Sequence, residues 1–213
     1  MLDLTQRRAI QLAIFGTVIL IVTWAVMIIR QDIWFSHLHQ LGMNFRPVLP
    51  PPLGSKSDVY EFYTSQEATD LTLKEMEEAL RQLPEIDTVR LNYSQVKGSG
   101  LIHLLVLPKL EELSLEGAAI DDSGIRGLRG FHRLIILKVS HTTIGDAGVQ
   151  IITEECPNLR SLDLSNTRIT DASAKHLERL TELRNLEVSN TLLSKERFQE
   201  LRRALPKLKT IEH

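Results

Sequence analysis

Apolar residues recur along the second half of this chain with a period of 24 or 25 positions. One column holds Val89, Leu113, Leu137, Leu162, Leu186 and Ile211. Two positions later stand Leu91, Leu115, Val139, Leu164 and Val188, and three positions earlier stand Ile86, Leu110, Leu134, Leu159, Leu183 and Leu208. A further column, seven residues after the first, reads Val96, Ile120, Ile144, Ile169 and Leu193. The second half of each unit adds Leu101, Ile125, Val149, Ala174 and Phe198, then Leu104, Leu128, Ile152, Leu177 and Leu201. A fixed period of this length is the mark of a solenoid, in which no single unit buries its own apolar face and stacking creates the core.

Each unit divides into two parts. The L-x-L pair has the two-residue spacing of a strand, so both leucines face one side and their neighbours face the other. Turn-forming residues follow, as in Ser165-Asn166-Thr167 and Ser189-Asn190-Thr191, and the next apolar residues stand three to four apart, which predicts a short helix. Stacked units then form a parallel sheet on the concave side and helices on the convex side. Ahead of the array, Thr72-x-x-Glu75 reads as a capping box before Met76, Leu80 and Leu83, predicting a helix over 72–83 that covers the first repeat.

The segments Leu107-x-x-Leu110-x-x-Leu113-x-Leu115-x-x-Ala118-x-Ile120 and Leu159-x-x-Leu162-x-Leu164-x-x-Thr167-x-Ile169 resemble the leucine-rich-repeat family, and the resemblance runs from Leu83 to His213. It implies an α/β solenoid and a binding role. The column that usually carries Asn or Cys reads Ser94, Ala118, Thr142, Thr167 and Thr191. Hydroxyls can bond the turn backbone in place of the amide, and Ala118 cannot, so its turn is expected to be the loosest. The Thr-x-Ile-x-Asp variant at Thr142 and Thr167 is similar to that of bacterial repeat proteins.

The apolar signal at the other end is of a different kind. Ala9 to Ile29 runs 21 residues without a charge, which as a helix matches the roughly 30 Å hydrocarbon core of a bilayer. Arg7 and Arg8 precede it, Arg30 and Asp32 follow, and Trp34 and Phe35 stand where interfacial aromatics belong. A cleavable signal peptide is the rival reading; its apolar region is usually shorter and ends in a small-x-small site, whereas Thr23-Trp24-Ala25 lies inside this run. The expectation is a single-pass signal-anchor with the repeat domain on the non-cytoplasmic side. Ile33, Trp34, Leu38, Leu41 and Phe45 suit a continuing interfacial helix, and the segment from Arg46, with Pro50 to Pro52, reads as an extended spacer. The expected organisation is a tail over 1–8, a transmembrane helix over 9–29, a juxtamembrane and Pro-rich segment over 30–56, a capping region over 57–83 and repeats over 84–213. The aromatics Tyr60, Phe62 and Tyr63 suggest packing against the end of the domain.

Composition removes several functions. A net charge of −2 lacks the basic footprint of a nucleic-acid binder. Cys156 is the only cysteine and falls in the column of Leu107, Phe131 and Leu180, a packing position that offers neither disulfide nor paired metal ligands. The histidines His103, His132, His141 and His176 occupy different repeat positions, and Asp146, which could orient His141, recurs as Asp122 and Asp171, in keeping with a turn or helix-start role. No cofactor, metal or catalytic residue is expected.

The candidate partner-binding surface is the concave face, formed by the neighbours of the inward leucines. Its residues are Arg90, Asn92, Glu112, Ser114, Glu116, Lys138, Ser140, Asp163, Ser165, Asn185 and Glu187, with Thr88, Ile136, Ser161 and Ser189 beside them. Four acids stand against two bases, which suits a polar, weakly electropositive protein or peptide. Two functional classes remain: a membrane-tethered protein-binding module, or a structural subunit of a membrane complex held through its helix. The strand around Ile211, with no helix after it in the sequence, also makes self-association through that edge an expectation.

Overall fold

The computed structural model describes residues 43–47, 60–64 and 68–212, all of them within one compact unit, Leu41–His213. The expected Ala9 to Ile29 span lies outside the described residues. Among those described, no helix is long and apolar enough to cross a membrane.

Eight strands form one sheet in which spatial order equals sequence order. They are β1 (Met43–Pro47), β2 (Tyr60–Thr64), β3 (Ile86–Arg90), β4 (Glu112–Ser114), β5 (Ile136–Lys138), β6 (Ser161–Asp163), β7 (Asn185–Glu187) and β8 (Thr210–Glu212). From β2 onward every pairing is parallel. Strands β4 to β8 are three residues long because the chain is extended only through the L-x-L core. The first column is in register throughout, Val89 opposite Leu113, then Leu137, Leu162, Leu186 and Ile211. Val89, Leu113, Leu137 and Leu186 have no exposed surface, and at roughly 1.5–3 kcal/mol for each large apolar side chain buried, these columns dominate stability.

The beginning of the sheet differs from expectation. Met43–Phe45, read as interfacial helix, and Arg46 and Pro47, read as the start of a spacer, form β1, which pairs antiparallel with β2. Each residue of β1 has a register partner on β2, from Met43 opposite Thr64 to Pro47 opposite Tyr60, and backbone pairing at a sheet edge outweighs a weak helical spacing. Strand β2 adds itself to β3 with a register shift between Tyr60 and Glu61. Helix α1 (Asp70–Arg81) begins two residues before the expected 72–83 helix. Its capping box is Thr69 with Thr72, not Thr72 with Glu75: the Thr69 hydroxyl accepts from Thr72 N–H at 3.3 Å and the Thr72 hydroxyl from Thr69 N–H at 3.1 Å. Leu73, Met76, Ala79 and Leu80 form the buried face of α1.

The convex side is also less uniform than one helix per repeat. The first two units turn through 3-10 helices, η1 (Ser99–Val106) and η2 (Gly124–Leu128). The later units use α2 (Asp146–Glu155), a short 3-10 turn η3 (Asp171–Ser173) running into α3 (Ala174–Leu177), and α4 (Lys195–Ala204). Glycine explains the difference. A Cβ on Gly124 would lie 1.8 Å from the Lys97 carbonyl oxygen, and one on Gly98 2.0 Å from that of Gly124, so these two backbones touch where side chains separate the later repeats. Such residues weaken an α-helix, and the i, i+3 spacing of Leu101 with Leu104 and Ile125 with Leu128 serves a 3-10 turn equally well.

Candidate binding surface

The parallel register arranges the outward residues of the strands in rows. One row runs Thr88, Glu112, Ile136, Ser161, Asn185; the next runs Arg90, Ser114, Lys138, Asp163, Glu187. Beyond the strands the ladder continues in the loop, where Leu91, Leu115, Val139 and Leu164 donate backbone bonds to Ser114, Lys138, Asp163 and Glu187 of the next repeat. A third row, Asn92, Glu116, Ser140, Ser165 and Ser189, follows there at the same repeat position.

The rows are not uniformly available. Thr88, Ser114 and Ser140 are buried, and the Ser114 hydroxyl donates to Asn92 Oδ1 at 2.6 Å, so these expected binding residues belong to the sheet's own packing. Small side chains sit low between larger neighbours on the concave side. Arg90, Asn92, Glu112, Glu116, Lys138, Asp163, Ser165 and Glu187 are half-buried, and Asn185 is exposed. Both bases converge on one acid: Glu112 Oε1 lies 3.9 Å from Arg90 and 3.6 Å from Lys138. Glu116 accepts from the Tyr93 hydroxyl at 2.8 Å, and this bond, ahead of the carboxylate's charge, raises the phenol above its usual range. Asp163 Oδ1 accepts from its own repeat's Ser165 N–H at 2.9 Å.

A further column sits at the rim of this face and escaped the sequence pattern. Tyr93, Gly117, His141, Asn166 and Asn190 occupy one repeat position and all have positive φ, between 56° and 64°. Four of the five carry side chains despite the steric penalty of this conformation. The Tyr93 ring lies over Gly117, where an added Cβ would meet it at 2.4 Å. The enrichment of Asn here and the turn character of Ser-Asn-Thr were the only signals, and Tyr and His gave none.

The aspartates expected at turns, Asp122, Asp146 and Asp171, act across repeats, and so does Asp70, which the repeat pattern did not single out. Asp70 accepts from Gly98 and Gly100 N–H at 3.0 and 2.8 Å, Asp122 from Gly145 and Gly148 at 2.7 and 3.0 Å, and Asp171 from Ser194 at 2.7 Å. Asp146 accepts from Thr170 N–H at 2.8 Å and from the hydroxyls of Thr170 and Ser173. Burial opposes its ionisation, but the Ser173 and Thr170 bonds outweigh that and hold its carboxyl below the usual range. Asp146 therefore holds the following repeat, while His141 Nε2 lies 3.3 Å from Asn166 Nδ2, and the two do not form a base and its orienter.

In the Asn column, Thr142, Thr167 and Thr191 donate to the carbonyls of Val139, Leu164 and Val188 at 2.6, 2.5 and 2.7 Å. Ser94 departs from this expectation: its hydroxyl is buried and has no hydrogen-bond partner among the described residues. Cys156 has no exposed surface, and burial, with the Glu155 charge adding to it, pushes its thiol up to about 12. Among the described residues no three His, Cys, Asp or Glu side chains gather as metal ligands would.

The fold is a leucine-rich-repeat solenoid with parallel strands on one side and short helices on the other. A family model described as Leucine Rich repeat matches residues 106–128 and 155–177. Solved structures similar to this chain include an internalin C2 from Listeria monocytogenes, at 21% identity and a TM-score of 0.48, covering 62% of this chain and 54% of that one. An internalin from the same organism, inlF, shows 16% identity and a TM-score of 0.37, covering 63% of this chain and 50% of that one. A leucine-rich-repeat protein of Leptospira interrogans shows 23% identity and a TM-score of 0.44, covering 62% and 33%. This chain thus spans about half the length of the two internalins and a third of the Leptospira protein. Comparison with curated proteins gave no match.

Proposed function

We propose that this protein is a non-catalytic protein-binding module that engages a weakly basic peptide or protein surface on its concave face, tethered to a membrane by Ala9 to Ile29. Repeat solenoids generally present such extended surfaces to protein partners. The observation that carries the reading is the acid excess of the half-buried rows: Glu112, Glu116, Asp163 and Glu187 face the same side as Arg90 and Lys138, and Glu112 lies within ion-pair distance of both bases. Complementary charge on a partner then sets orientation and association rate more than affinity. The 21-residue apolar run supports the tether, and the signal-anchor layout supports a repeat domain on the non-cytoplasmic side.

The test is binding of fluorescent lysine-rich peptides to the full chain in detergent micelles, with Glu116→Lys/Asp163→Lys beside wild type. Glu112 is left in place because it lies within ion-pair distance of both Arg90 and Lys138. The double variant should bind at least tenfold more weakly, and affinity of the wild type should fall with added salt. Equal binding by both chains, or a preference for glutamate-rich peptides, would overturn the assignment. For the tether, a tag after His213 should be digested by protease added outside intact cells or spheroplasts; protection until the membrane is opened would reverse the orientation.

A further inference from the structure

Where the chain enters each strand, one residue before β4 to β8 and within β3, a second ladder runs across the repeats. Backbone bonds of 2.8 Å join Asp87, Glu111, Ile135, Arg160, Arg184 and Lys209 in succession, each N–H donating to the preceding carbonyl. This rim row carries two acids, one isoleucine and three bases, in that order. With adjacent strands about 4.8 Å apart, the charges are evenly spaced along roughly 24 Å.

Two features set this row apart from its neighbours. Two residues nearer the turns, the row is internally compensated, with Glu85 bonded to Lys109 and Glu182 to Lys207. Among the described residues no ion pair joins members of the rim row to one another; Glu182, already held by Lys207, feels the charges of Arg160 and Arg184. A shallow cavity of about 220 Å³ also opens at the acidic half, lined by Asp87, Thr88, Glu111, Glu112, Ile135 and Ile136. Three carboxylates and two isoleucines line it, an environment suited to the aliphatic stem and charged head of an arginine.

The order of charges is self-complementary. Turned end for end about Ile135, the row sets Glu111 against Arg160, Asp87 against Arg184, and Ile135 against its own copy. We propose that this rim is an isologous interface between two copies of the chain, each inserting Arg160 and Arg184 toward the other's acidic cavity. A two-fold contact demands such a pattern, since every pair occurs twice. In the turn row two residues earlier, the same operation sets Arg133 against its own copy and Glu85 against Glu182, and each of these glutamates is already paired with a lysine of its own chain. The cavity shares Thr88, Glu112 and Ile136 with the first concave row, but the four residues whose charges pair across the axis lie outside the concave rows, so each surface is tested by its own substitutions.

Charge exchange tests it on the full chain in detergent micelles, with mass read by multi-angle light scattering or native mass spectrometry. Wild type should be dimeric at tens of micromolar and dissociate as salt rises. Asp87→Lys/Glu111→Lys alone and Arg160→Glu/Arg184→Glu alone should each be monomeric, because all four cross-interface pairs become like-charged. Mixed in equal amounts, the two variants should recover a heterodimer, since every pair is then opposite in sign; a misfolded variant could not be rescued so. A monomeric wild type overturns the proposal. So does a dimer that survives in both variants, which would place the contact at the β8 edge or in the N-terminal apolar run. A monomer that instead takes up glutamate-rich peptide through Arg160, Arg184 and Lys209 would assign the row to an acidic partner and equally overturn it.

Discussion

Replacing Asp146 by alanine removes three hydrogen bonds at once: one from Thr170 N–H at 2.8 Å, one from the Thr170 hydroxyl at 2.7 Å, and one from the hydroxyl of Ser173. Ser173 has no exposed surface, so its hydroxyl cannot turn to solvent instead. Bonds to a charged acceptor contribute about 1.5–3 kcal/mol each, and stranding a buried donor costs about 1–3 kcal/mol. The three share one carboxylate and are not additive, so the expected loss is about 3 kcal/mol. At about 2–4 °C per kcal/mol, thermal unfolding followed by circular dichroism should shift down by about 6–12 °C. Asp121→Ala is the control, because its carboxylate bonds Ser123 and Gly124 of its own turn, and a clearly smaller downward shift is expected. Acid adds a second signature. The folded carboxyl of Asp146 titrates below the ordinary 3.8, so its stabilisation is complete above that value and is lost as pH falls through the folded value. The gap between wild type and Asp146→Ala should be widest near neutrality and narrow as the pH falls below 3.8. An Asp146→Ala shift no larger than that of Asp121→Ala, or a gap unchanged in acid, would refute the idea that this carboxylate joins two repeats.

Thr142→Ala should lower stability by about 1 kcal/mol in urea unfolding through loss of its bond to the Val139 carbonyl, whereas Ser94→Ala, which removes an unpartnered buried hydroxyl, should leave stability unchanged or raise it. Gly124→Ala should be among the most damaging single changes, at about 3 kcal/mol or more in the same assay, because its Cβ would strike the Lys97 backbone. Cys156 should resist a thiol reagent in the native protein at neutral pH and react only as urea unfolds the chain, given its burial and a thiol pushed up to about 12.

Much of this architecture was legible in the sequence because the repeat is written in side chains that point inward. A leucine at Leu113 and again at Leu137 carries its meaning locally: the strand period places it inside, and the repeat period places its copies beside it. The same logic named the residues that flank the inward leucines and read Cys156 as a packing position, which its burial matches. It failed where the outcome depended on a partner elsewhere in the chain. Met43 to Pro47 became a strand because β2 was there to pair with it. The first two repeats took 3-10 turns because glycines let neighbouring backbones touch.

Within the candidate surface, the sequence determined which residues flank the inward leucines, since alternation along a strand is a local property. Only the tertiary structure decided which of them face solvent: Ser140, at the same repeat position as the half-buried Ser165, is buried. It also decided that Arg90 and Lys138, 48 positions apart in sequence, would share Glu112. The rim row of Asp87, Glu111, Ile135, Arg160, Arg184 and Lys209 has no period of its own to read, because its residues differ in kind from repeat to repeat. Stacking in register turns them into one line of charge, and interactions across that line exist only once the repeats are assembled.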